Sequence, residues 1–126
     1  MPVLSAPSSP THILEGAQFT SLATPNRCGS TDTAVWRVEL APGHPATPHQ
    51  VTREEVFVVL SGRARVRLGD DDEREARAGD AIVVPRETHF EMNVEGDEPL
   101  HALCCMPVSG EARLADGTTF VPPWAK

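Results

Sequence analysis

Hydrophobic and polar residues alternate with a period of two through the middle of the chain. Residues 33–40 place four apolar side chains on one face, and residues 63–68 alternate as strictly. Because successive side chains of a strand point to opposite faces, this period predicts half-buried strands. Residues 55–60 form a mainly β-branched and aromatic run that is apolar on both faces, which predicts a strand buried on both sides. The strands predicted in this way cover residues 33–40, 55–60, 63–68, 73–78, 81–85, 89–94 and 100–106.

Turn residues separate these runs, and no stretch of ten residues has the 3.6-residue period of a helix. The 9 Gly and 12 Pro are scattered along the chain rather than clustered. Short strands joined by turns predict an all-β, antiparallel sandwich or small barrel with little or no helix. We expect a flexible N-terminal arm over residues 1–10, a barrel over residues 11–110, and an irregular C-terminal tail over residues 111–126 that packs on the barrel.

Composition narrows the possible partners and the cellular compartment. The chain has 18 acidic and 11 basic residues, a formal net charge of -7, with no Lys/Arg cluster. This argues against nucleic acid or an anionic membrane surface as a partner. No apolar run approaches the roughly 18 residues that a membrane helix needs, and the first residues lack the order of a signal peptide. Three cysteines, two of them adjacent, are a poor disulfide framework and predict a reducing, cytoplasmic setting.

Few side chains can bind a metal or move protons: the chain has five His and no Tyr. His49 and Glu55 are six residues apart, so an extended chain would point both the same way. A Glu that opens an apolar strand is expensive to bury unless it is paired or metal-bound. His89 begins a second strand. Two imidazoles and one carboxylate would suit Fe(II), with Mn(II), Ni(II) and Zn(II) as further possibilities.

The spacing of these residues resembles the two sequence motifs of the cupin family. The first motif is matched by Gly43, His49, Glu55 and Gly62. The second motif is matched by Gly79, Pro85, His89 and Asn93. The match spans residues 43–93, and flanking strands extend it to about residues 33–106. The resemblance implies an antiparallel jelly-roll barrel with a divalent metal in its mouth, and a homodimer.

Two departures from the motifs weaken the implied metal site. Val51 stands where the first motif has its second His, and Glu87 stands where the second motif has a Gly. The ligands that carry over are His49, Glu55 and His89. A fourth ligand would have to come from Gln50 or His101. An alternative register, with Glu54 as the carboxylate, breaks the spacing from Glu to Gly.

Each candidate ligand also has a structural explanation. His49 could bond only to backbone, Glu55 could pair with an inward Arg such as Arg37, and His89 could cap the barrel mouth.

The parity of residues 89–94 decides where His89 and Glu91 point. We favour the parity that buries Phe90, Met92 and Val94, which exposes Glu91 and swings His89 outward unless a bulge intervenes. The opposite parity would make Glu91 an inward carboxylate able to act as a catalytic base.

The resemblance leaves three kinds of function open. The first is a metal-dependent enzyme acting on a small organic molecule, of the dioxygenase, isomerase, decarboxylase or cyclase type. The second is a non-catalytic small-molecule-binding or sensor protein whose metal is weak or absent because Val51 replaces a His. The third is a subunit whose role lies in assembly. The expected pocket residues are Trp36, Arg37, Val51, Phe57 and Val59.

Overall fold

A computed structural model describes residues 2–44 and 47–126 of the chain. Its strands, in chain order, are β1 (His12–Leu14), β2 (Ala17–Ala23), β3 (Thr33–Leu40), β4 (Gln50–Val51), β5 (Glu55–Ser61), β6 (Arg63–Leu68), β7 (Arg74–Arg77), β8 (Ala81–Val84), β9 (Phe90–Glu95), β10 (Leu100–Pro107), β11 (Ala112–Arg113) and β12 (Thr119–Phe120). The helices are a single α-helical turn, α1 (Pro25–Cys28), and a 3₁₀ helix (Pro123–Ala125). None of the described helices is long and apolar enough to cross a membrane.

The strands form one large sheet and two small ones, and every described strand pair is antiparallel. The large sheet has the order β1–β2–β3–β10–β5–β8. The small sheets have the orders β12–β11–β4 and β7–β6–β9. Strand β10 lies between β3 and β5, so the last long strand is inserted between two earlier ones. The predicted all-β, antiparallel jelly-roll barrel is therefore confirmed.

The core lies on the inner face of the large sheet. One cross-strand row runs from Trp36 in β3 through Cys104 in β10 to Phe57 in β5 and Ile82 in β8. All four side chains are buried, because the period of two in each strand turns its apolar residues to the same side. This row forms the floor beneath the barrel interior.

The predicted strands occur where the alternation placed them. The runs at residues 33–40 and 63–68 form β3 and β6 with the predicted bounds, and the other five end within one residue of the prediction. Strands β1, β2, β4, β11 and β12 were not predicted, and they are short or weakly patterned.

Strand β5 is buried on one face only, so the expectation that both faces are buried is wrong. Val56 and Val58 are half-buried on the outside of the barrel, and Leu60 is 49% exposed. Strand β6 differs, because its outward residues are Arg63, Arg65 and Arg67, which pair with glutamates across the small sheet. The two strands therefore present chemically different outer surfaces.

The ends of the chain pack against the barrel in different ways. Residues 2–10 form no helix or strand, and Arg27 donates a hydrogen bond to the backbone oxygen of Ser5 at 3.2 Å. The segment expected to be irregular, residues 111–126, contains β11, β12 and the 3₁₀ helix. Its Trp124 stacks on Phe19 of β2, with ring centroids 3.6 Å apart. The division of the chain into arm, barrel and tail stays a prediction.

Candidate functional site

A cavity of about 360 Å³ opens between the sheets and is walled mainly by apolar side chains. The aromatic residues that line it are Phe19, Trp36, Phe57, Phe90, Phe120 and Trp124. Its floor is the inner face of β3 and β5, and Phe90 and Met92 of β9 contribute from the opposite sheet. The turn between β1 and β2 and the C-terminal segment complete the lining near its mouth.

Glu55 is the least exposed ionisable group in this lining. It is the first residue of β5 and only 6% exposed. Its carboxyl has no hydrogen bond or ion pair with any residue in the described part of the chain. Burial raises its pKa from the ordinary 4.5 to about 8, because a low-dielectric environment disfavours the charged form. At neutral pH this carboxyl is therefore mostly protonated, with an O–H group to donate.

His49 reaches the cavity from the strand-like segment before β4. Its Nδ1 donates a hydrogen bond to the backbone oxygen of Thr47 at 2.9 Å, since a carbonyl oxygen can only accept. The proton on Nδ1 leaves a free lone pair on Nε2, which can accept a hydrogen bond or bind a metal. The ring packs edge-on against Phe90, with centroids 5.4 Å apart.

His89 is exposed and is not among the residues that line the cavity. The reason is a backbone bridge in which Phe90 N donates to His49 O at 2.8 Å and His49 N donates to Phe90 O at 3.1 Å. This bridge fixes Phe90 on the inner side, and alternation then turns His89 and Glu91 away from the cavity. Strand β9 thus has the parity that we favoured, and Glu91 lies opposite Arg67 in the neighbouring strand.

The other predicted ligands and the rejected carboxylate lie away from the cavity. His101 is on the outer face of the large sheet, with Nε2 3.5 Å from an oxygen of Glu39. Gln50 pairs with Arg113 in the β4–β11 ladder and does not line the cavity. Glu54, the carboxylate of the alternative register, is exposed.

The predicted pocket residues divide between the two faces of the large sheet. Trp36, Val51 and Phe57 line the cavity. Val59 is 1% exposed and is packed in the core without lining the cavity. Arg37 lines a separate groove on the outer face, so it is not available to pair with Glu55.

The described residues do not fit a resident transition metal. No group of three or more His, Cys, Asp or Glu side chains in residues 2–44 and 47–126 is arranged to hold an ion. His49 and Glu55 face the cavity, but Val51 supplies no donor and His89 points elsewhere. Transition-metal sites with open positions use three protein ligands, and this cavity offers two of those predicted.

Several lining residues were missed by the sequence analysis. His44 and Glu15 lie at the mouth, and Phe19 and Trp124 form a stacked pair beside it. Gly16, in the turn between β1 and β2, has a φ of +73°, and a Cβ there would lie 2.3 Å from Nδ1 of His44. Ala17 and Phe19, two residues apart in β2, were the signal for this wall, but the other residues of the strand are mostly polar and obscured it.

Comparisons with known proteins agree with this architecture. The Cupin domain family profile matches residues 36–106, more than half of the chain. Germin-like protein 3-1 of Oryza sativa subsp. japonica is 37% identical over 95 residues, which are 71% of this chain and 40% of that protein. The chain spans about two fifths of the length of the curated relatives it matches.

Two solved structures show the same likeness. KdgF from Halomonas sp. superposes with a TM-score of 0.66 at 23% identity, over 79% of this chain and 86% of that one, a likeness of fold alone. Bacillus subtilis oxalate decarboxylase, in a structure concerned with its Mn(II) centers, superposes with a TM-score of 0.65 at 26% identity. The match covers 79% of this chain and 27% of that enzyme.

Proposed function

This chain belongs to the cupin family, and on that premise we propose that its barrel binds a small, mainly apolar organic molecule without the help of a metal ion. The observation that carries the proposal is the apolar cavity with one unpartnered carboxyl, Glu55, on its wall. A volume of about 360 Å³ suits a ligand of one or two fused rings. Small-molecule sites are commonly concave, mostly apolar and equipped with a few polar groups.

The polar groups are placed to orient such a ligand. The protonated Glu55 can donate a hydrogen bond, and Nε2 of His49 can accept one. The position of the His49 ring is restrained by the bond to Thr47 and by contact with Phe90. Fixed polar groups on apolar walls orient a ligand and select among ligands, because a polar group that the ligand leaves without a partner loses its bonds to water and gains none in return.

The metal-dependent enzyme expected from the family resemblance is the competing function. Its support is the 26% identity to a Mn(II) enzyme and the presence of both His49 and Glu55 on the cavity wall. Against it stand Val51 in place of an imidazole and the outward position of His89.

Metal content and ligand binding distinguish the two functions. Protein purified without added metal is analysed for bound metal, and binding of naphthalene to the metal-free protein is followed by NMR. We expect less than one metal per chain and saturable naphthalene binding. Val51→Phe should abolish binding by filling the cavity, whereas Val83→Phe, on the outer face, should not. About one metal per chain, lost in both His49→Ala and Glu55→Ala, would overturn the proposal in favour of the enzyme.

We also propose that two copies associate through the outer face of the large sheet. Outward Val58 and Leu103 lie side by side in β5 and β10, and Val83 in the edge strand β8 is 48% exposed. Patches of this kind on a sheet commonly mark an interface. Arg37 and Glu39 on the same face are oppositely charged, so a two-fold copy can pair them.

Light scattering tests the association of two copies. The wild-type protein should have the mass of a dimer, Val83→Lys should be monomeric, and Ala115→Lys, at an exposed loop position, should remain dimeric. A monomeric wild-type protein at micromolar concentration would contradict this proposal and leave the ligand site untouched.

A further inference from the structure

The charges around the cavity restrict what it can hold. No Arg or Lys lines it among residues 2–44 and 47–126, and the acidic residues in the lining are Glu15 and Glu55. Of the basic residues near the barrel, Arg37 faces the outer groove and Arg113 bonds to Glu87 outside the lining. A buried anion needs a partner of opposite charge. A carboxylate or phosphate ligand would find no Arg or Lys here, only the imidazoles of His44 and His49, and would lie beside a carboxyl group.

The Glu55 carboxyl has no hydrogen-bond acceptor of its own among the described residues. It is only 6% exposed and makes no hydrogen bond with a side chain or backbone group in the described chain. Its neighbour Cys104 is a buried thiol, a weak acceptor. Since burial favours the neutral acid, the free O–H is the group that a ligand has to satisfy. A neutral carbonyl oxygen accepts such a bond without introducing charge.

The walls indicate a flat ring. Phe57 and Phe90 stack on one another with centroids 5.5 Å apart and planes 24° from parallel. Trp36 and Trp124 present further aromatic surface. Aromatic surfaces favour flat partners in stacked or edge-on arrangements.

We infer that the ligand is an uncharged, flat ring compound bearing a carbonyl oxygen that accepts a hydrogen bond from Glu55. The inference rests on the proposed function, because it requires that the cavity bind a small molecule. It goes further by naming the chemical class and by excluding carboxylate and phosphate ligands.

Four compounds on one ring skeleton test the inference: indane, 1-indanone, 1-aminoindane and indane-1-carboxylate. Their affinities for the metal-free full chain are measured by calorimetry at pH 7. We expect 1-indanone to bind about tenfold more tightly than indane, from one added hydrogen bond in a desolvated site. The carboxylate should show no binding.

Two substitutions of Glu55 separate hydrogen bonding from charge. Glu55→Gln keeps an N–H donor and should retain 1-indanone affinity within about threefold, whereas Glu55→Leu should lose about tenfold for 1-indanone and nothing for indane. A ¹H–¹⁵N spectrum of each variant checks that it is folded. Glu54→Gln, at the exposed neighbouring position, should bind all four compounds like the wild-type protein.

Four results would contradict the inferred ligand class. Equal affinity for indane and 1-indanone would overturn the inference and leave the proposed function intact. Tighter binding of 1-aminoindane that is lost in Glu55→Gln would overturn it in favour of a cationic ligand. Tight binding of the carboxylate would overturn it as well. Failure of all four compounds to bind would overturn both the inference and the proposed function.

Discussion

Replacing Glu55 by Gln should raise the stability of the protein at alkaline pH and flatten its dependence on pH. Below the ordinary pKa of 4.5, Glu55 is protonated in the folded and unfolded chain, so its ionisation has no effect on stability. Between pH 4.5 and about 8 the unfolded chain ionises while the folded one stays neutral, so the free energy of unfolding falls as pH rises. Above about pH 8 the free energy of unfolding levels off, because Glu55 then ionises in the folded chain as well.

The size of the effect follows from the pKa difference. Each pKa unit corresponds to about 1.4 kcal/mol, so a rise from 4.5 to about 8 sets an upper limit of about 5 kcal/mol. About 2 kcal/mol of this is already lost at pH 6, and nearly all of it at pH 9. The wild-type protein should therefore lose about 3 kcal/mol more than Glu55→Gln between pH 6 and pH 9.

Urea unfolding followed by circular dichroism measures this difference. Curves for the wild-type protein, Glu55→Gln and the exposed control Glu54→Gln are recorded in EDTA at pH 6, 7, 8 and 9. The free energies of wild-type and Glu54→Gln should decline together, and that of Glu55→Gln should decline less. Parallel curves for all three proteins would refute the reasoning, because they would mean that Glu55 is ionised or paired in the folded state.

Three further substitutions test the packing and the missing ligand. Gly62→Ala should destabilise the protein more than Gly117→Ala in urea unfolding. Both glycines have positive φ, which costs about 1–2 kcal/mol for Ala, but of the two only Gly62 would bring the new Cβ against backbone, 2.4 Å from Pro99 O. Equal losses of stability would contradict this. Trp124→Ala should lower the free energy of unfolding by about 2–3 kcal/mol in the same assay, which is below the range for a fully buried Trp because Trp124 is half-buried. An unchanged midpoint would show that the stacking of Trp124 on Phe19 adds no stability. Val51→His should raise the affinity for Co²⁺ at least about tenfold, as measured by visible absorbance, whereas Val59→His, outside the lining, should not raise it. Equal affinities of the two variants would show that adding a third donor to the cavity does not create a metal site.

The fold was predictable because its long strands carry the period of two. Strands β3 and β6 alternate without interruption, and turn residues mark where they stop. Strands β4, β11 and β12 have only two residues each, so no pattern can develop. They form because distant segments pair, as Ala112 does with Val51 and Phe120.

The site was predictable only where local geometry decides it. The even spacing of His49 and Glu55 predicted the same side for both, and both lie on the cavity wall. The chain bends at residues 52–53 between strands β4 and β5 of different sheets, so the bend and the pairing of each strand within its own sheet hold them there, not an extended segment. His89 depends instead on the bridge between Phe90 and His49, which joins residues 41 apart in sequence. The burial of Phe90 outweighed the motif match. Arg37 could have been excluded from the pocket, since it alternates with Trp36.

Both indole side chains of this protein belong to the cavity wall, and the chain contains no tyrosine. Fluorescence excited near 295 nm therefore originates entirely from groups within reach of a bound molecule, with no background emission from the rest of the barrel. Trp36, 2% exposed, reports from the floor, and the half-buried Trp124 reports from the mouth. Replacing either one by Phe would leave a single chromophore, so the depth at which a quencher acts could be read from its spectrum.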